Sequence, residues 1–116
     1  MDHEAVAASL AELGNTHRLA AFRFLVKAGH NGAPVGEIQK ALGIPASTLS
    51  HHLARMAKVG LIRQKKHSRT IVCIPEYQHL ETLISFLREE CCVGVQTAEC
   101  SLPDAEYLIS FKNNNL

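Results

Sequence analysis

The chain has 116 residues, 47% of them hydrophobic, and its 12 Lys and Arg against 11 Asp and Glu give a formal net charge of +1. That is the size of one domain with an adequate core. No apolar run approaches the roughly 18 to 20 residues of a membrane span, and the start MDHEAVAASL is neither a signal nor a transit peptide, so a cytosolic protein with reduced thiols is expected. The small total hides an asymmetry. Between Glu37 and Glu76 there are seven Lys or Arg and no acid, whereas from Glu76 onward seven acids face only Arg88 and Lys112. The basic centre and the acidic end are expected to point different ways.

In chain order, Val6, Leu10 and Leu13 mark the apolar stripe of an Ala-rich first helix that Gly14-Asn15 closes. Thr16 is then placed to cap a second helix carrying Leu19, Phe22, Phe24, Leu25 and Val26, ended by Gly29. A polar loop, His30 to Pro34, follows. Val35, Ile38, Ala41 and Leu42 recur at the spacing of a short amphipathic helix, which Gly43 ends as a left-handed cap. After the connector Gly43-Ile44-Pro45 a fourth helix begins near Pro45 to Ser47, with Leu49, Leu53 and Met56 on one stripe and Gly60 as its stop. Two helices joined by so short a glycine-containing turn make a helix-turn-helix, whose second helix enters a DNA major groove.

At 100° per residue, Ser47, His51, Ala54, Arg55 and Lys58 fall opposite that stripe, with Thr48 and Ser50 beside them and His52 near the core edge. This face is small, polar and cationic. Ser47, Thr48, Ser50, His51 and Arg55 are therefore candidate contacts to bases and phosphates of double-stranded DNA. Two strand-like runs follow, Leu61 to Lys66 and Thr70 to Ile74, around a turn at His67-Ser68-Arg69. A hairpin after a recognition helix is a wing, and Lys65, Lys66 and Arg69, with Arg63, give it cations for phosphate. Fold class is thus mainly α with a small β-hairpin wing.

Pro75 restarts the chain as a last helix with Leu80, Leu83, Ile84, Leu87 and Cys91 on one stripe. The first and last helices carry more apolar surface than a small monomer needs, which predicts a homodimer paired through them across a two-fold axis. Cys91 and Cys92 are adjacent, Cys100 follows, and Cys73 alternates with Val72 and Ile74 as a core residue would. Neighbouring cysteines make poor disulfide partners, because their α-carbons lie about 3.8 Å apart against a usual range of about 4.4 to 6.8 Å. Three thiolates without a histidine or carboxylate pattern suit a soft, thiophilic ion and match no usual zinc set. Glu89, Glu90 and Glu99, with the negative end of the helix, disfavour free thiolates. A fast peroxide sensor needs the opposite, so metalloid capture is the favoured chemistry. With no CxxC, no nucleophile beside an evident base and no organic-cofactor fingerprint, no enzyme is indicated.

The order of helices, the entry Thr16-His17-Arg18-Leu19, the run IQKALGIPASTLSHHLARMAKVGLI, the basic hairpin and the terminal helix together resemble the ArsR/SmtB family of winged-helix metal-sensing repressors. The resemblance covers nearly everything up to Cys100. It implies a dimer that holds operator DNA without inducer and leaves it when a metal or metalloid binds. Arsenic sensors with a CxC in the first motif helix are not matched, since Pro34-Val35-Gly36-Glu37 stands there, and neither are zinc sensors, since His79 is the only histidine of the last helix. FLREECC followed by Cys100 is similar instead to arsenite sensors with a CC pair and a third cysteine at the end of that helix. The resulting expectation is a domain over residues 1–100 with a tail over 101–116, and As(III) or Sb(III) as inducer on Cys91, Cys92 and Cys100. A redox- or persulfide-responsive repressor, or one responding to cadmium or lead, is the alternative on the same fold.

Overall fold

A computed structural model describes residues 1–94. Five helices, α1 (His3–Leu13), α2 (Thr16–Ala28), α3 (Val35–Leu42), α4 (Ala46–Lys58) and α5 (Tyr77–Arg88), are combined in these residues with a small antiparallel sheet of β1 (Ala33–Pro34), β2 (Ile62–His67) and β3 (Thr70–Pro75), in the order β1-β3-β2. This is a winged helix-turn-helix. The expected domain end at residue 100 and the tail from 101 lie outside the described residues.

The core forms where α2, α3 and α4 converge above the base of the wing. Leu25, Ile38, Leu49, Leu53, Met56 and Leu61 are wholly buried there, in a cluster that also takes in Phe22, Ile62 and Cys73. The α4 stripe therefore packs as its spacing requires. Gly43 ends α3 at φ 67°, the left-handed conformation expected of it, and its N–H donates to the Gln39 carbonyl at 2.7 Å.

Several boundaries differ from the sequence expectation. Asn15, not Thr16, caps α2, its side chain accepting from the Arg18 N–H at 3.1 Å. The loop before α3 contains a strand: Ala33 pairs with Cys73 and Pro34 with Val72. Gly32 makes that approach possible, because a Cβ there would lie 2.0 Å from the Cys73 carbonyl oxygen. Pro75 ends β3, and α5 starts at Tyr77.

The inward face of α1 is only partly the expected one: Leu13 packs against the core as its spacing predicts, but Leu10 does not. Val6, Ser9 and Glu12 are buried, while Leu10 is 39% exposed. Periodicity among apolar residues misses this because two of the three buried side chains are polar. Their partners lie on other helices: Ser9 Oγ is 2.8 Å from His79 Nε2 on α5, and Glu12 is held by Arg18 of α2 and Arg55 of α4. The outer helix α5 is tied to the domain by Leu83, by Tyr77 donating to the Val26 carbonyl at 2.8 Å, and by an edge contact of Phe86 with His3. Its other face carries Ile84 and Leu87 into solvent, and Leu87 is 59% exposed.

Candidate nucleic-acid interface and thiol site

Helix α4 presents Ser47, Thr48, Ser50 and His51 on its open side, all exposed. The wing stands beside it. Ser68, at φ 60°, and Arg69 form the two-residue turn between His67 and its partner Thr70. Direct pairing of Lys65 with Val72 and of Lys66 with Ile71 puts the two lysines on opposite faces of the ribbon. The face of Lys66 also carries Gln64 and, at the base, buried Cys73; the face of Lys65 carries Arg63. Arg63 is drawn to the base of the wing by Glu76, at 3.1 Å.

Between the wing and the two motif helices runs a cleft lined by Lys40, Ser50, Gln64, Arg69 and Ile71, among others. It brings two of the candidate DNA contacts, Ser50 and Arg69, together with Lys40 and with the carboxylate-bearing Glu37. The sequence signal for Lys40 was present, since it opens the acid-free basic run, but as a residue of α3 it lay off the recognition helix.

Arg55, also among the expected DNA contacts, has a partner within the protein. Its Nε donates to both carboxylate oxygens of Glu12, at 3.0 and 2.9 Å, and its Nη2 to Oε1 at 2.9 Å. The guanidinium is thus engaged by the protein itself across α1 and α4. Behind it, Arg18 Nε donates to the Glu12 carbonyl at 2.6 Å and Arg18 Nη1 to His52 Nδ1 at 3.1 Å. Since Arg18 has no acceptor, His52 must carry its proton on Nε2 and be neutral in this bond. Burial and then the Arg18 charge push its pKa down, while the hydrogen bond from Arg55 holds the Glu12 carboxyl below its ordinary range. His52 is buried, as its position near the α4 stripe predicts.

The thiols form a separate locality. Helix α5 stops at Arg88, so Cys91 does not continue its stripe; it lies in a turn where its N–H donates to the Arg88 carbonyl at 2.9 Å. Glu90 and Cys92 adopt left-handed φ angles of 62° and 64° in this turn. Cys91 and Cys92 are both exposed, with their Sγ atoms 3.3 Å apart. The shared S–H···S contact with Cys91 raises the Cys92 pKa, in line with the sequence argument against free thiolates. Cys91 also borders a cleft with Met1, Thr82, Ser85 and Phe86, between the start of α1 and the end of α5. Cys100 lies outside the described residues, and among those described no group of three His, Cys, Asp or Glu side chains is placed to hold a metal. Cys73 is fully buried under the wing, where burial raises its pKa and Gln64 Nε2 donates to its sulfur at 3.7 Å.

Comparison with known proteins accords with this architecture. A helix-turn-helix domain family matches residues 13–65. The HTH-type transcriptional regulator YgaV of Escherichia coli (strain K12) is 30% identical over 89 residues, which cover 77% of this chain and 88% of the relative. The chain belongs to the ArsR family of winged helix-turn-helix transcriptional regulators. Among solved ArsR-type structures, an ArsR-like transcriptional regulator from Rhodococcus sp. RHA1 superimposes with a TM-score of 0.65 at 19% identity, over 74% of this chain and 78% of that one. The homodimeric winged helix-turn-helix domain of Mb0332 from Mycobacterium bovis, a possible ArsR-family regulator, does so with a TM-score of 0.59 at 23% identity, over 77% and 82% of the two chains. An ArsR-family chain of this kind is a DNA-binding regulator and not an enzyme. Among the described residues, no helix is long and apolar enough to cross a membrane.

Proposed function

We propose that this ArsR-family regulator is a homodimeric repressor that grips operator DNA through α4 and the wing and releases it when As(III) or Sb(III) binds Cys91, Cys92 and Cys100. The observation that carries the inducer is the pair of exposed sulfurs 3.3 Å apart on a turn outside the core. One soft ion can be shared by both sulfurs at that separation, displacing their protons as it binds. The raised pKa of Cys92 suits this better than attack on peroxide, which needs a standing thiolate. Cys73, wholly buried, is poorly placed to resolve an oxidised Cys91 or Cys92, which leaves Cys100 as the resolving thiol of the redox alternative.

The DNA half of the proposal rests on the exposed face of α4 beside a cationic wing. Two such heads, joined through α1 and α5, would meet successive major grooves. Leu10, Ile84 and Leu87 supply exposed apolar surface for that pairing. The thiol turn directly follows α5, so an ion there bears on the dimer helix. Release requires the ion to bind the two dimer geometries with different affinity, and couplings of this kind are typically about 1 to 3 kcal/mol.

Fluorescence anisotropy of the reduced protein on DNA from its own promoter, titrated with arsenite, cadmium, zinc and peroxide in turn, tests both halves. Release by about one arsenite per subunit, lost in Cys92→Ser, is the expected result. Release by peroxide alone, or by arsenite from a triple serine variant of Cys91, Cys92 and Cys100, would remove the inducer assignment.

A further inference from the structure

Glu12 sits on α1, away from the reading face, yet both its carboxylate oxygens are turned to α4. They accept three hydrogen bonds from the Nε and Nη2 edge of Arg55, the bidentate fork in which arginine is held most firmly. Arg18 closes the other side of the carboxylate, with Nε 3.6 Å from Oε2. The Glu12 side chain is 11% exposed and that of Arg55 is 49% exposed, so the pair has one end sunk and the other at the rim of α4. Arg55 follows Thr48 and His51 by seven and four residues and therefore shares their flank of the helix.

An unrestrained arginine at that rim would reach for the nearest phosphate. Such a contact adds affinity for every DNA sequence alike and reads none. Short side chains close to the groove floor discriminate between bases only if the helix is not pulled away from them by a stronger nonspecific contact. We propose that Glu12 is a specificity-determining positioning residue: its fork keeps Arg55 off the phosphate backbone and leaves DNA reading on α4 to Ser47, Thr48, Ser50 and His51. This rests on α4 being the helix that enters the groove.

The test measures anisotropy against KCl concentration on the promoter duplex and on a scrambled duplex of equal length, for wild type, Glu12→Gln, Arg55→Lys, Arg55→Gln and Glu12→Gln/Arg55→Gln. Freeing the cation in Glu12→Gln should steepen the salt dependence by about 0.9 for each protomer bound. It should also tighten binding to scrambled DNA, so the promoter-to-scrambled affinity ratio falls several-fold. Arg55→Lys, which keeps the charge and loses the fork, should do the same, and it carries the test if Glu12→Gln fails to fold by circular dichroism. Arg55→Gln alone should leave the slope unchanged, and in the Glu12→Gln background it should restore it.

A merely structural Glu12 would instead lower the melting temperature and weaken both duplexes alike at constant slope. That outcome, or a loss of about 0.9 per protomer in Arg55→Gln alone, overturns the proposal, the latter because Arg55 would already be on a phosphate. A wild-type protein showing no salt-dependent binding to either duplex would overturn the DNA half of the proposed function as well, and is distinguishable by needing no variant.

Discussion

His52 accepts from Arg18 only while its Nδ1 is unprotonated, and protonating it would place a third positive charge beside Arg18 and Arg55. Its folded-state pKa lies below the ordinary value of 6.5, so the unfolded chain binds the extra proton first. Stability should therefore be full above about pH 6.5 and decline as the pH falls below it. Denaturant midpoints measured from pH 7.5 to 5 check this, and His52→Gln, which can still accept from Arg18, should flatten the profile. Glu12 has a lowered pKa as well, but from an ordinary value of 4.5, so its contribution is lost only at lower pH and the two effects separate on the pH axis. Gly32 makes a second prediction at this scale. Gly32→Ala would place its Cβ against the Cys73 carbonyl at a φ of 67° that alanine disfavours. A destabilisation above about 1 kcal/mol is expected in equilibrium unfolding, with faster amide exchange in β1.

The wing is the element whose pattern bears most directly on function. Because Lys65 and Lys66 face opposite sides of the ribbon, they cannot both lie flat against one stretch of backbone unless the ribbon edge is inserted. Replacing each by alanine should lower the salt slope unequally, the lysine nearer DNA losing about 0.9 per protomer and the other much less. Both losses should appear equally on promoter and unrelated duplexes, since phosphate contacts carry no sequence. Arg63→Ala should change neither, because Glu76 already engages it. Equal slope changes for the two lysines would show that the wing lies edge-on.

At the scale of the whole molecule, α5 holds one face to its own domain through Leu83, Tyr77 and His79 and turns Ile84 and Leu87 outward. On the proposed dimer, Leu87→Glu should shift the protein toward monomer in sedimentation velocity and weaken promoter binding by about tenfold or more, because a single head loses the avidity of two. Helix content should be unchanged, since an exposed side chain contributes little to the fold. A dimer that survives both this change and Ile84→Glu would place the pairing surface elsewhere.

The sequence alone determined the motif. Ile38, Leu49, Leu53 and Met56 repeat at helical spacing, Gly43 and Pro45 punctuate them, and the β-branched run to Ile74 alternates as a strand; these are local signals, and the four helical side chains are buried where their period puts them, as is Cys73 in the strand. Vicinal Cys91 and Cys92 were equally legible, because adjacency is covalent. Only the tertiary structure decided what distant segments do to one another. It turned Ser9 and Glu12 inward on a helix where Leu10 had suggested another face, since His79, Arg18 and Arg55 could satisfy them there. It brought Ala33 to β3 through Gly32, and it paired Arg55 with a carboxylate 43 residues away. Apolar burial follows period, which a sequence displays. The burial of a polar group depends on its partner, and that partner is fixed only when the helices pack.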